Sequence, residues 1–240
     1  MLLFLGIDDT DTKVKVVRGS KLGTGRVARK VANELMRHGF KVLWVTRHQL
    51  MKSVTNTSGN NSAKAVTLEV SSTDDIRYVR EVATRVVSEL SLPSSNPGIA
   101  INPHKPPPKD AVELALRASS EPISLSDVLS AAKRHGIDTI CIRSSCEGVI
   151  GAFSASVLAA LGYGRVLDIP YTGLRNYMNK VLRVSEILKL GIHAVRDVNG
   201  HELNEYEYVY VGKFKPYLEG FKPVLYVVKD GALWRAVVLD

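Results

Sequence analysis

"AKAVTLEVSSTDDIRYVREVATRVVSEL", residues 63–90, changes its period once, after Val70. The first eight residues form a short apolar run of strand length and composition. Beyond the Ser/Thr/Asp cluster, apolar residues return at helical spacing, which predicts a helix over 74–90 capped by Thr73 or Asp74. Upstream, "KVLWVTRH" at 41–48 reads as a strand, joined to this one by the Ser/Thr/Asn/Gly loop "SVTNTSGNNS" at 53–62. Before it, "GRVARKVANELMRHG" at 25–39 places Val27, Val31 and Leu35 on one helical face, flanked by Ala28 and Ala32, and ends at Gly39. Residues 2–7 make a buried strand, and downstream "PGIAIN" at 97–102 supplies a fourth. The order strand, helix, strand, strand, helix, strand predicts an α/β (α+β) fold built on a ferredoxin-like split βαβ unit, an order that other α/β arrangements share.

The proline-rich "NPHKPPPKD" at 102–110 is the candidate seam, giving a first region over 1–103 and a second α/β region over 104–240. The second region opens with helical stretches near 110–118 and 124–135 and the short strand "DTICIRS" at 138–144. "GVIGAFSASVLAALG" at 148–162 follows, a small-residue helix suited to close packing on a sheet. The tail is β-rich, with "YEYVYVG" at 206–212 and a hairpin over 223–240 turning at Asp230 and Gly231.

A 240-residue chain that is 45% hydrophobic can bury a substantial core. It has no apolar run near the roughly 20 residues that span a bilayer. "MLLFLGIDD" lacks a basic leader and a cleavage site, so the expected setting is the cytoplasm, away from membranes. Cys141 and Cys146 have no histidine pattern to complete a zinc site and are expected to be free thiols. The formal charge of +8 is concentrated: residues 13–68 hold twelve Lys or Arg and one acid, Glu34, a net of +11. Such a segment favours RNA or polyphosphate, against the plainer reading of a solvated basic surface.

"FLGIDDTDT", residues 4–12, ends the first strand in a polar cluster. At the C-terminal end of a sheet strand, Asp8, Asp9 and Asp11 suit Mg2+, which takes carboxylate, water and phosphate oxygens, with Thr10 alongside for phosphate. The competing reading has these side chains satisfying backbone groups in Asx-type turns. "RGSKLGTGRVA" at 18–28 runs into a helix start where Lys21 and Arg26 could meet an anion. Its G-x-G-x-x-A pattern is a weak dinucleotide signal, since it does not come straight off the first strand and the next strand ends in Arg47 rather than a ribose-binding acid. Gly148 and Gly151 begin another helix after a strand, and fit either a phosphate or close helix–sheet packing.

Five separate pieces occur in the order found in the archaeal agmatidine (2-agmatinylcytidine) synthetases, which modify a minor isoleucine tRNA. They are "GIDDTD" at 6–11, "SGNNSAKAVTLEV" at 58–70, "NPG" at 96–98, "GVIGA" at 148–152 and "KPVLYVVKDG" at 222–231. The chain resembles the N-terminal half of that family, a kinase-like plus a ferredoxin-like domain. It has no counterpart of the family's oligonucleotide-binding barrel or zinc ribbon, no C-x-x-C pair, and Ser58 where the family's loop has arginine. The resemblance implies ATP and Mg2+ as cofactors. It implies Asp8, Asp9 and Asp11 in catalysis and metal binding, Gly59 and Asn60 in a nucleotide-side loop, and Gly148 and Gly151 at an anion-facing helix start.

Together these expectations describe an ATP- and Mg2+-dependent phosphoryl- or pyrophosphoryl-transfer enzyme acting on a nucleotide, an RNA or a small metabolite. The alternatives are a non-catalytic RNA- or nucleotide-binding module, or a catalytic subunit served by a separate tRNA-binding chain.

Overall fold

The computed structural model describes residues 1–11, 23–51 and 61–239. They form two compact units, Met1–Leu161 and Gly162–Asp240. The division therefore falls at Leu161, not at the proline-rich connector near residue 103. The physical reason is that the segment after the connector returns to the first sheet instead of starting a new one.

The first unit begins with β1 (Leu2–Asp8), α1 (Thr24–Arg37), β2 (Val42–Gln49), β3 (Ser62–Glu69), α2 (Thr73–Leu90) and β4 (Gly98–Asn102). Within the unit the strands run β4-β1-β3-β2, each antiparallel to its neighbour. This is the split βαβ order read from the sequence. α1 and α2 pack on each other, and α1 buries Val27, Val31 and Leu35 as its 3.6-residue period requires. α2 is capped one residue earlier than the sequence suggested. Ser72 accepts a hydrogen bond from the Asp75 amide, and the Asp75 carboxylate accepts one from the Ser72 amide.

After β4 come α3 (Lys109–Arg117), α4 (Leu125–His135), β5 (Asp138–Cys141) and α5 (Gly148–Ala160). β5 pairs antiparallel with β4 and extends the first sheet. α5 lies along β1 and β4 and, with α3 and α4, closes a core around Phe153, Val149 and Ala100. Helices cover both faces of the sheet, so Leu3–Ile7 and all five residues of β4 are buried without alternation. The two cysteines are not free thiols. β5 ends at Cys141 and the chain turns back through Cys146, which has a left-handed φ of 56°, bringing the Cα atoms to 4.8 Å in a disulfide.

The second unit contains β6 (Gly164–Asp168), a 3-10 turn (Leu174–Tyr177), β7 (Val181–Arg183), α6 (Val184–Lys189), β8 (Ala194–Asp197), β9 (Tyr208–Tyr210), β10 (Tyr217–Glu219), β11 (Lys222–Asp230) and β12 (Leu233–Ala236). Its strands run β6-β10-β11-β12-β9-β7, and β8 pairs with β11. β11 and β12 are the expected hairpin, but Asp230 still pairs with Leu233, so the turn is Gly231–Ala232. Gly231 takes a φ of 60°, the left-handed conformation such a tight turn demands.

Candidate phosphate-chemistry site at the end of β1

β1 ends at Asp8, and Asp9 follows with a left-handed φ of 53°, a conformation that aspartate tolerates better than most residues. The resulting turn is held from three sides. The Asn96 amide donates to the Asp9 carboxylate at 3.1 Å, and the Leu92 amide donates to the Thr10 carbonyl at 3.0 Å. Thr10 is fully buried, its hydroxyl donating to Thr24 Oγ1 at 3.2 Å, while Thr24 donates to Asp11 at 3.2 Å. The first turn of α1 therefore sits on Thr10 and Asp11.

The first turn of α5 meets the same place. A Cβ built on Gly148 would lie 3.0 Å from the Asp8 carbonyl and 2.5 Å from the Asn96 carbonyl, whose oxygen accepts a hydrogen bond from the Gly148 amide. A Cβ on Gly151 would lie 1.9 Å from the Asp8 carboxylate. Gly6 and Gly98 meet the α5 backbone in the same way, at 1.8 Å from the Ala152 carbonyl oxygen and 2.1 Å from the Gly148 carbonyl carbon. Close helix–sheet packing, one of the two readings of Gly148 and Gly151, is therefore a full account of why glycine stands there. It also brings two helix N-termini to the aspartate turn, where their dipoles favour negative charge.

The electrostatics follow from this enclosure. Burial pushes the Asp8 carboxyl up to about 6, against the opposing charge of Lys64. Burial also pushes Asp9 up to about 7, with the charge of Asp8 adding to it and the Asn96 amide opposing. Asp11 adds its charge to both, although its own side chain is turned toward Thr24. Two carboxylates deprived of water and repelling one another are relieved by a cation, and their oxygens are the hard donors that Mg2+ takes. Among the described residues no three His, Cys, Asp or Glu side chains converge at metal-holding distance. Asp8 and Asp9 would thus give a partial shell, completed by water and phosphate.

Of the other residues singled out by sequence, Arg26 stands exposed in the first turn of α1. Lys21, Gly59 and Asn60 lie outside the described residues, as does much of the basic segment. Within the described part of that segment some of the charge is paired or buried. Arg37 pairs with Glu34, Lys41 with Glu69, and Lys64 is buried.

Three residues went unread. Lys64 lies on β3 beside Ile7, its ammonium donating to the Ser62 carbonyl and, at 3.0 Å, to the Ser62 hydroxyl. His48 on β2 is 5% exposed and shares a 2.9 Å hydrogen bond with Thr46, and burial pushes its imidazole down to about 3. A lysine inside the alanine-flanked strand "SAKAV" was the available signal for the first of these. Arg143, in the disulfide loop, donates from one nitrogen to the Leu92 carbonyl at 2.7 Å and the Ser95 carbonyl at 2.8 Å. It fixes the loop whose amides hold Asp9 and Thr10.

No family model matches the chain, and no curated protein matches it. Solved structures do. Apo TiaS, an agmatidine synthetase for an isoleucine tRNA, superposes with a TM-score of 0.53 at 22% identity, over 65% of this chain and 35% of its own. The complex of TiaS with that tRNA and ATP gives 0.55 at 21%, over 65% and 36%. Over that 65% of its length, this chain shares the fold of the matching part of the agmatidine synthetase. A tRNA fluorescent labeling enzyme matches equally, with a TM-score of 0.54 at 22% identity. The chain spans 36% of the length of that enzyme and of the ATP complex, about a third in each case. Among the described residues, no helix is long and apolar enough to cross a membrane.

Proposed function

We propose that the chain is an ATP- and Mg2+-dependent enzyme of phosphoryl or pyrophosphoryl transfer, working in the cytoplasm on a tRNA or another nucleotide. The observation that carries this reading is the aspartate turn itself: Asp8 and Asp9 at the end of the central strand β1, partly stripped of water, beneath the first turns of α1 and α5. The shared fold with an ATP-bound tRNA-modifying enzyme supports it. That enzyme's tRNA and agmatine come to this chain only as candidates for the acceptor.

In this reading the metal supplies charge neutralisation for the transferred phosphate. Asp8 and Asp9 hold it and are kept in place by the Asn96 amide and by the Gly151 surface against which Asp8 rests. Lys64 acts on Asp8 from the β3 side, its charge favouring the ionised carboxylate against the effect of burial. Arg26, exposed in the first turn of α1, is the candidate cation for phosphate oxygens. Thr10, locked to Thr24, orders the turn.

Titration calorimetry with ATP, with and without Mg2+, tests the reading. Wild-type protein should bind ATP only with the metal, and the D8N/D9N double variant should lose at least tenfold in affinity. An unchanged variant, or a wild-type protein that binds neither ATP nor GTP, overturns it.

A further inference from the structure

Eight of the nine tyrosines lie in residues 162–240, so tyrosine is concentrated in the second unit. The register of its sheet shows where several of them point. Arg183 on β7 pairs with Tyr208 on β9, Val181 pairs with Tyr210, and Tyr210 pairs in turn with Arg235 on β12. Paired residues share a face, and the intervening Leu182 and Val209 are buried on the other one. Arg183, Tyr208, Val181, Tyr210 and Arg235 therefore form one surface across three neighbouring strands. Val181 is 46% and Tyr208 42% exposed, and both arginines are exposed.

The two residue types are interleaved. The Arg183 guanidinium lies 5.2 Å from the Tyr208 ring centre and donates to its hydroxyl at 2.7 Å. The Arg235 guanidinium lies 5.8 Å from the Tyr210 ring centre. At the near end of β7, the Lys180 ammonium lies 5.4 Å from the Tyr177 ring. An acid stands beside each arginine: Asp230 is engaged by Arg235 at 2.5 Å, and the Glu186 carboxylate accepts a hydrogen bond from the Arg183 amide at 2.7 Å. Rings held beside cations on an open sheet give a base a face to stack on and its phosphate a charge to meet.

We infer that the β7-β9-β12 face of the second unit is a docking platform for single-stranded RNA, with Tyr208 and Tyr210 stacking bases and Arg183, Arg235 and Lys180 contacting the backbone. It deepens the proposed function, on which it rests for the identity of the RNA as substrate; the contacts themselves rest on the residues above.

The test is fluorescence anisotropy of a labelled, unstructured RNA 20-mer on the full chain, over a series of salt concentrations, with ATP binding measured on the same samples. Wild-type protein should bind, and Y208A/Y210A should weaken binding at least tenfold, while Y208F/Y210F retains it. R183Q/R235Q, which alters only exposed side chains, should flatten the salt dependence by about 0.7 in the log–log slope for each phosphate no longer neutralised. ATP binding should survive in all three. Absence of RNA binding by the wild type overturns the platform, as does equal affinity and equal salt slope in R183Q/R235Q. If the platform variants lose RNA and keep ATP, the platform stands. If wild-type protein binds RNA but no ATP, the platform stands and the proposed catalytic function falls.

Discussion

The sheet of the first unit is covered on both faces, and its polar chemistry collects at the strand end, where Asp8 and Asp9 leave the core. The sheet of the second unit carries Arg183, Tyr208 and Arg235 on an exposed face, between strands whose opposite residues are buried. A sheet closed by helices can present ligands only at its ends, whereas an open one can present them along its surface. The close approach of α5 in the first unit needs positions without side chains, and the second unit has no such demand on its exposed strands.

Glycine substitutions probe that difference most strongly. Gly6→Ala would drive a Cβ to 1.8 Å from a backbone oxygen of α5, and Gly98→Ala to 2.1 Å from a backbone carbon. Neither contact is with a flexible side-chain end, so each should destabilise the protein by roughly 3 kcal/mol or more in urea unfolding. Gly231→Ala, in open space with a φ of 60°, should cost only about 1 kcal/mol. Equal effects in the two units would break the comparison.

Next in size is an acid dependence with two opposed sources, both in the first unit. His48 is held neutral, its pKa lowered to about 3 from an ordinary 6.5. The unfolded chain takes up this proton below about pH 6.5 while the folded chain does not. Its stability contribution is therefore present above 6.5 and is lost as pH falls toward 3, about 2 kcal/mol by pH 5. Asp8 and Asp9, raised to about 6 and 7, have the opposite sign: the folded chain holds protons the unfolded chain has released. Stability from them rises as pH falls from 7 toward the ordinary carboxylate range. Between pH 7 and 5, H48Q should gain stability on acidification and D8N/D9N should lose it, with the wild type between them. Parallel curves for all three would sink the assignment.

A smaller effect should come from Arg143, whose two carbonyl contacts tie the loop of Leu92 and Ser95 to the disulfide segment. Arg143→Met should cost about 1 kcal/mol. Hydrogen exchange should speed up at the Leu92 and Asn96 amides, with the Lys64 amide in β3 as the unaffected reference.

Much of the first unit was legible because its elements obey their own periods. α1 and α2 bury the residues their spacing selects, and β1, β3 and β4 are short apolar runs. The unit boundary was not legible, because proline composition marks an irregular segment without saying that β5 will return to β4. The aspartates were visible as a cluster, but their division between Asn96, Thr24 and Gly151 depends on contacts far apart in sequence. The disulfide escaped for a similar reason: nothing in the spacing of Cys141 and Cys146 announces the left-handed turn that joins them. In the second unit, strands of three to five residues such as β7 and β10 are too short for periodicity to mark.

Three of the sequence motifs that first linked this chain to the agmatidine synthetases turn out to be neighbours in space. The glycine of "GIDDTD", the glycine of "NPG" and both glycines of "GVIGA" line a single joint between two strands and one helix. What looked like three signatures of chemistry is, at those positions, one signature of fit. Any descendant that keeps the joint will carry the signature, whatever reaction its aspartates have been given to do.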